Sequence, residues 1–314
     1  MVIESVRIPA ARTAKEQGLV DCLKYFLWVL LLVANVASAR EAGSAHHPAV
    51  AQYMANEGVM VMQGETKILF DPLFRNAYGQ YQLLPEAMEK ALFAGQSPFD
   101  GVDAVFISHY HGDHFSPGDI LQLLRAQPGI QLYAPAQAVA GLRKIAGEQD
   151  QPVFNRVTAV DLAYKDAPVR LNMRGLLIEA VRIPHSGWPT GRLDVENISW
   201  RITLNDATTV LHMGDADPND IHFERDAAYW DKRQTHMAFP PYWFFSSTYG
   251  GEILDNRIKA AHNVGVHVPV SVSRIPALRP AELRGFDLFT EPGERRDIPL
   301  MVPAGVAEVV NRQQ

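Results

Sequence analysis

The chain has 314 residues, 47% hydrophobic and 20% charged, with Lys+Arg 29 against Asp+Glu 35. This composition excludes a disordered chain or a collagen-like fibre, and a formal charge of −6 excludes the basic footprint of a polyanion-binding protein. One cysteine, Cys22, excludes a disulfide framework and a cysteine-rich zinc finger, which leaves the 11 histidines as the residues of interest.

Near the N-terminus, residues 25–36 form an apolar run of 12, preceded by Lys24 and followed by Ala37-Ser38-Ala39. A membrane-spanning helix needs about 20 apolar residues. A basic lead, a short apolar stretch and an A-x-A site have the order of a secretory signal peptide. The expected organisation is a signal peptide over 1–39 and a single domain over 40–314, periplasmic or secreted, with no stable membrane anchor after cleavage near Ala39. Cys22 leaves with the leader, so every soft metal ligand of the mature chain must be histidine. The segment before the apolar run is long and carries Glu4, Glu16 and Asp21, which suits a translation start downstream of Met1.

Residues 40–52 are small and polar and read as a mobile lead-in. Gly58–Met62 and Lys67–Phe70 flank Gln63-Gly64-Glu65, a hairpin pattern ended by Asp71-Pro72. A helical stretch is expected near 85–93, a buried strand over 103–108, helices over 117–126 and 136–146, and a strand at 131–133. Strands dominate afterwards, over 157–162, 176–183, 197–204 and 208–212. A helical region follows near 226–233, and alternation resumes around 264–272. Mixed strands and helices without repeats or long linkers indicate one α/β or α+β domain.

Residues 107–115 read Ile-Ser-His-Tyr-His-Gly-Asp-His-Phe. His109 and His111 are two apart and share a side of extended chain. Gly112 permits a sharp turn that returns Asp113 and His114 to the same place. Imidazoles and a carboxylate at a strand end suit zinc, iron or manganese, and would be costly to bury together without a cation.

H-x-H-x-D-H after an apolar strand resembles the signature of the metallo-β-lactamase fold superfamily, with Ile68-Leu69-Phe70-Asp71-Pro72 resembling its early strand; the resemblance spans roughly residues 55–272. It implies an α+β fold, a four-layer αββα sandwich, and strand-rich halves before and after residue 165 agree with two sheets. It also implies three further ligands at strand ends. His185 follows Val181–Pro184; Asp215 follows Val210–Gly214, with Asp217 as a weaker rival; His267 lies among apolar residues read as a strand, with His262 as the rival. By this resemblance His109, His111 and His185 hold one metal, Asp113, His114 and His267 hold a second, and Asp215 bridges them. Asp113 and Asp215 are the catalytic carboxylates. The cofactors implied are two divalent ions, zinc first, with manganese or iron as alternatives.

Such a site uses metal-bound hydroxide to cleave an ester, lactone, amide or phosphodiester bond. No G-x-S-x-G elbow competes with it. A mature chain without cysteine does not fit the β-lactamase subclasses that use one, and Asp215 points to the lactonase, thioesterase and phosphodiesterase relatives. The expected partner is a small-molecule substrate, not nucleic acid. Two other functions fit the same residues: a mononuclear iron dioxygenase of the persulfide-oxidising type, or a non-catalytic metal-binding module. Tyr110, Trp188 and Pro240–Phe245 are candidate walls of a substrate cleft, and Arg182 and Arg201 candidate phosphate contacts. His46, His47, His222 and His236 read as ordinary structural or surface residues, and His212 has no assigned role.

Overall fold

A computed structural model describes residues 47–299. The proposed leader with Cys22, and His46, lie outside the described residues. Among the described residues no helix is long and apolar enough to cross a membrane.

The first sheet contains β1 (Ala49–Ala55), β2 (Gly58–Gln63), β3 (Thr66–Phe70), β4 (Ala104–Phe106), β5 (Gln131–Pro135), β6 (Val157–Val160) and β13 (Arg295–Ile298). Its order is β13-β1-β2-β3-β4-β5-β6, antiparallel up to β3 and parallel from β3 to β6. The second contains β7 (Val169–Met173), β8 (Leu176–Arg182), β9 (Ile198–Leu204), β10 (Thr208–His212), β11 (Met237–Phe239) and β12 (His262–Asn263). It runs β12-β11-β10-β9-β8-β7, antiparallel from β7 to β10 and parallel from there to β12. The halves divide where expected, between Val160 and Val169, except that β13 returns to the first sheet.

Side-chain alternation sorts the apolar residues into three layers. Ile68 and Phe70 of β3, Phe106 of β4, Trp200 and Ile202 of β9 and Phe239 of β11 meet between the sheets. Leu69 and Val105 face the other way, onto helices α1 (Glu86–Ala94), α2 (Pro117–Ala126) and α3 (Ala136–Ile145), through Leu92, Ile120, Leu124 and Leu142. On the far side Leu211 and Ala238 pack with Phe223 of α4 (Ile221–Glu224), Trp230 of α5 (Ala227–Asp231) and Ile253 of α6 (Thr248–Ile253). Helix, sheet, sheet, helix is the expected αββα sandwich.

Three expectations need correction. Of the lead-in expected over 40–52, residues 49–52 instead belong to β1, second strand in its sheet and almost wholly buried. Strands β7, β11, β12 and β13 were not anticipated; the last three are short, and β13 carries Arg295, Arg296 and Asp297 along an edge, where charges are favoured. The 264–272 stretch is not a strand. After β12 it holds to its neighbours by single bridges, Pro241 to Val266 and Gly265 to Leu288.

Phe106 lies 5.3 Å from both Tyr133 and Trp200 and 5.5 Å from Phe70, ring centre to ring centre. Phe106→Ala should therefore lower the unfolding free energy by about 3–5 kcal/mol, measured by denaturant titration.

Candidate metal centre

The parallel runs place the carboxyl ends of β4, β10 and β12 on one edge of the sandwich, and all seven sequence-predicted ligands meet there. β4 ends at Phe106 and runs into the histidine loop. His114 N and Phe115 N both donate to the His111 carbonyl, at 3.0 and 2.9 Å, so the chain turns helically and brings Asp113 and His114 back. Gly112 does this without a left-handed backbone. It is small because Arg75 N and Asn76 N approach its carbonyl, and a Cβ there would lie 3.2 Å from Asn76 Cβ.

His109 Nε2 and His111 Nδ1 are 3.1 Å apart, and His185 Nε2 is 3.1 Å from Asp215 Oδ2. These four residues offer ligand atoms within 4.8 Å of one another, as do Asp113, His114 and His267 in a second group. His267 Nε2 lies 3.2 Å from Asp113 Oδ2. Asp215 Oδ1 lies 3.3 Å from both His114 Nε2 and His267 Nε2. One oxygen of Asp215 thus faces each group. His267 Nε2, not His262, reaches the pocket; His262 pairs with Asp287 at 2.9 Å. Asp217 accepts from Gly187 N at 3.1 Å and is in neither group.

The outer hydrogen bonds fix which ring nitrogen points inward. Asp71 Oδ1 accepts from Ser108 N at 2.7 Å, and its Oδ2 from the Ser108 hydroxyl and from His114 Nδ1 at 3.0 Å. Ser108 Oγ is in turn 3.0 Å from His109 Nδ1. His185 Nδ1 donates to the Ser186 carbonyl at 2.9 Å. The Nε2 atoms of His109, His114 and His185 are left facing the pocket. His114 Nε2, His185 Nε2, His267 Nε2 and Asp215 Oδ1 are buried with no hydrogen-bond partner. Buried polar atoms are normally paired, so this donor set fits divalent cations, whose presence would satisfy all four.

Asn197, at the entry to β9, joins the loops. Its Nδ2 donates to the carbonyls of Ile183 and Met213, both at 3.2 Å, and its Oδ1 accepts from Asp215 N at 3.0 Å. Trp200 Nε1 donates across to the Ile107 carbonyl at 2.9 Å. Gly214 has φ +55, and a Cβ on it would lie 2.4 Å from Asn197 Oδ1 and 2.6 Å from Ser108 Cβ. Only glycine fits there.

Asn56 and Glu57, in the turn between β1 and β2, were not anticipated. Asn56 Nδ2 donates to the Asp113 carbonyl at 2.9 Å, and its own carbonyl accepts from His267 N at 3.0 Å. His212 donates from Nε2 to the Glu57 carbonyl at 2.9 Å and stacks on Phe70. No motif marks Ala55-Asn56-Glu57-Gly58; its only signal is a turn dipeptide between apolar runs.

Of the cleft candidates, Tyr110 lies 5.0 Å from the His111 ring and Trp243 5.3 Å from that of His267, ring centre to ring centre. Tyr81 meets His267 edge-on at 4.2 Å. Trp188 packs instead on His222, which hydrogen-bonds Tyr164. Arg182 donates to the Leu162 carbonyl, and Arg201 is wholly buried against Glu179 and Tyr229, so neither is a phosphate contact. His236 Nδ1 accepts from Thr209 N, a structural role as expected.

Burial holds the His109 imidazole well below its ordinary pKa, and burial with neighbouring His185 and His114 lowers His111 to about 4. Burial would also lower His114, but the Asp215 and Asp71 carboxylates outweigh it and raise this imidazole well above the usual range. For Asp215 burial acts upward, and His267 and His114 outweigh it, giving a strongly lowered carboxyl. Burial pushes the Glu57 carboxyl well above the usual range, with His114 opposing.

The profile of the beta-lactamase superfamily domain matches residues 66–230, slightly more than half of the chain. The chain belongs to that family. Six of the seven clustered residues fall inside the match, and His267 beyond it. No curated protein matches the sequence. Igni18, a metallo hydrolase from the hyperthermophilic archaeon Ignicoccus hospitalis, superposes with a TM-score of 0.51 at 16% identity, over 81% of this chain and 99% of that one. A structure from Veillonella parvula, described as a possible metal-dependent hydrolase, gives 0.50 at 14% identity, over 80% and 99%. These likenesses are of fold.

Two outcomes follow. Gly214→Ala should cost about 2–3 kcal/mol of stability, read from denaturant unfolding, because it combines overpacking with a left-handed backbone. In the metal-free protein His114 holds a proton near neutral pH while His109 and His111 do not. Cation binding by the Asp113–His114–His267 group would therefore displace that proton, and should weaken as pH falls. Calorimetric zinc titrations at pH 8 and 6 should show a steeper loss for this group than for the His109 group.

Proposed function

We propose that the protein is an exported hydrolase with a dinuclear metal site that cleaves an ester, lactone, amide or phosphodiester bond in a small-molecule substrate. In this reading His109, His111 and His185 hold one ion, Asp113, His114 and His267 the other, and Asp215 bridges. The observation that carries it is the division of Asp215, whose Oδ2 lies 3.1 Å from His185 Nε2 and whose Oδ1 lies 3.3 Å from His114 Nε2 and His267 Nε2. Imidazole and carboxylate donors without thiolate favour zinc, with manganese or iron as alternatives.

Bound divalent ions supply an acidified water and polarise the electrophile. The chain's own residues do the rest. Asp113 is nearly buried, its Oδ2 3.2 Å from His267 Nε2, where it can orient the attacking water and take its proton. Tyr81 and Trp243 cover the His267 side and limit water there. Tyr110, 38% exposed beside His111, offers an apolar contact to substrate at the opening. Arg182 and Arg201, the two phosphate contacts expected from the sequence, are committed elsewhere.

Elemental analysis of the purified protein should give two equivalents of a divalent transition metal. Asp215→Ala should remove one or both and lower hydrolysis across an ester, lactone and phosphodiester panel by more than about 100-fold. Hydrolysis unaffected by chelator would refute the proposal. Export is tested separately: the secreted protein should begin at Arg40.

A further inference from the structure

The loop that leaves His185 brings an uncommitted cation back beside it. Arg192 is exposed, and its hydrogen bond is from Nη1 to the Ser186 carbonyl at 3.2 Å. Among the described residues its Nε and Nη2 have no partner and it forms no ion pair. The Ser186 carbonyl also accepts from His185 Nδ1 at 2.9 Å, so the guanidinium lies beside the imidazole whose Nε2 faces the pocket. This position is built by the chain. Asp217 holds Gly187 N at 3.1 Å, and Thr190 N and Gly191 N both donate to the Gly187 carbonyl, at 3.2 and 2.8 Å, which folds the loop onto Ser186. Arg192 itself has φ +56, a left-handed state that is unfavourable for a residue with a β-carbon. A second exposed side chain stands nearby. Tyr78, 55% exposed, follows Asn76, whose amide holds the Gly112 carbonyl of the histidine loop. The Tyr78 phenol lies close enough to feel the charges of Arg192 and of Asp113, His114 and Asp215.

An exposed arginine is ordinarily a solvated surface residue. This one sits in an unfavourable backbone state, is tied to the carbonyl that orients a proposed ligand, and keeps a pair of parallel N–H donors free. The nearby carboxylates do not use them: Asp215 faces the imidazoles, and Asp217 faces Gly187 and His222. Strain held at the edge of a site is a pointer to function. One planar fork and one unit of charge match a carboxylate. We propose that Arg192 reads a carboxylate on the substrate, outside the bond that is cleaved, through Nε and Nη2. The substrate class is then a carboxylate-bearing ester, lactone or amide, entering between Arg192 and Tyr78. The proposal rests on the hydrolase reading above and narrows it. Arg192 is a specificity-determining residue in it, and the reacting atoms lie deeper, among the seven clustered residues.

The test titrates the Zn2+-loaded protein with monomethyl malonate, succinate, glutarate and adipate, all anionic at neutral pH, and with the matching neutral dimethyl esters. Ligand-observed NMR gives Kd, and hydrolysis of the same esters is followed in parallel. At one chain length or more, wild type should bind the monoester about fivefold or more tighter than the diester. Arg192→Gln should abolish that preference by raising the monoester Kd, with Zn2+ content equal to wild type. Arg192→Lys keeps the charge without the fork and should recover part of the preference. No monoester preference in wild type at any length overturns the proposal. So does a preference that survives in Arg192→Gln, which would assign it to the bound cations. Loss of Zn2+ from Arg192→Gln and Arg192→Lys alike would make Arg192 a support of His185 and also overturn it. A preference lost in Arg192→Gln, without hydrolysis of any ester, supports Arg192 as the carboxylate contact and removes the hydrolase reading, so the two failures are told apart.

Discussion

One carboxylate shared between two sets of imidazoles organises this molecule. Asp215 reaches His185 with one oxygen, and His114 and His267 with the other. It can do so because Gly214 turns the chain where a side chain would collide with Asn197 and Ser108, and because Asn197 holds its backbone amide. The left-handed backbone of His267 and the burial of unpaired nitrogens are concentrated at the same edge. Such concentration is expected where function overrides stability.

The donor atoms come from both sheets. His109 to His114 follow β4 of the first; His185, Asp215 and His267 follow β8, β10 and β12 of the second. Between the sheets at this edge run the bonds of Trp200 to Ile107 and of Ile198 N to the Ser108 carbonyl. The aromatic core of Phe70, Phe106 and Trp200 lies in the same inter-sheet layer. Packing thus sets the spacing that the site requires, and Asp71 translates it into ring orientation by gripping Ser108 and His114 together.

Much of this was legible in the sequence. H-x-H-x-D-H is local, so its six-residue span survives any uncertainty about tertiary structure, and His185 and Asp215 announce themselves by apolar strands that stop just before them. The αββα layering follows from strand alternation together with amphipathic helices. What could not be read shares a physical character. β1 has a polar lead and small residues, so its burial is decided by β2 and β13 beside it. His267 was named as a ligand, but the strand expected around it is absent: it has φ +57, a backbone state that apolar flanks do not signal, and it is held by the Asn56 carbonyl far away in sequence. Asn56 and Glu57 look like any hairpin turn until the sheets pack. Arg201, a plausible anion contact by type, is committed to Glu179 inside. Local pattern carries the ligands that follow regular strands; long-range pairing decides the rest.

Because the proposed ions would be gripped by loops of both sheets, they would also act as a staple across the seam of the sandwich. Separating the sheets at that edge would then require breaking coordination bonds as well as peeling apart apolar surface. Resistance to unfolding would then be partly a matter of how tightly and how long the metal is held, and a chelator would lower both the stability and the lifetime of the folded state.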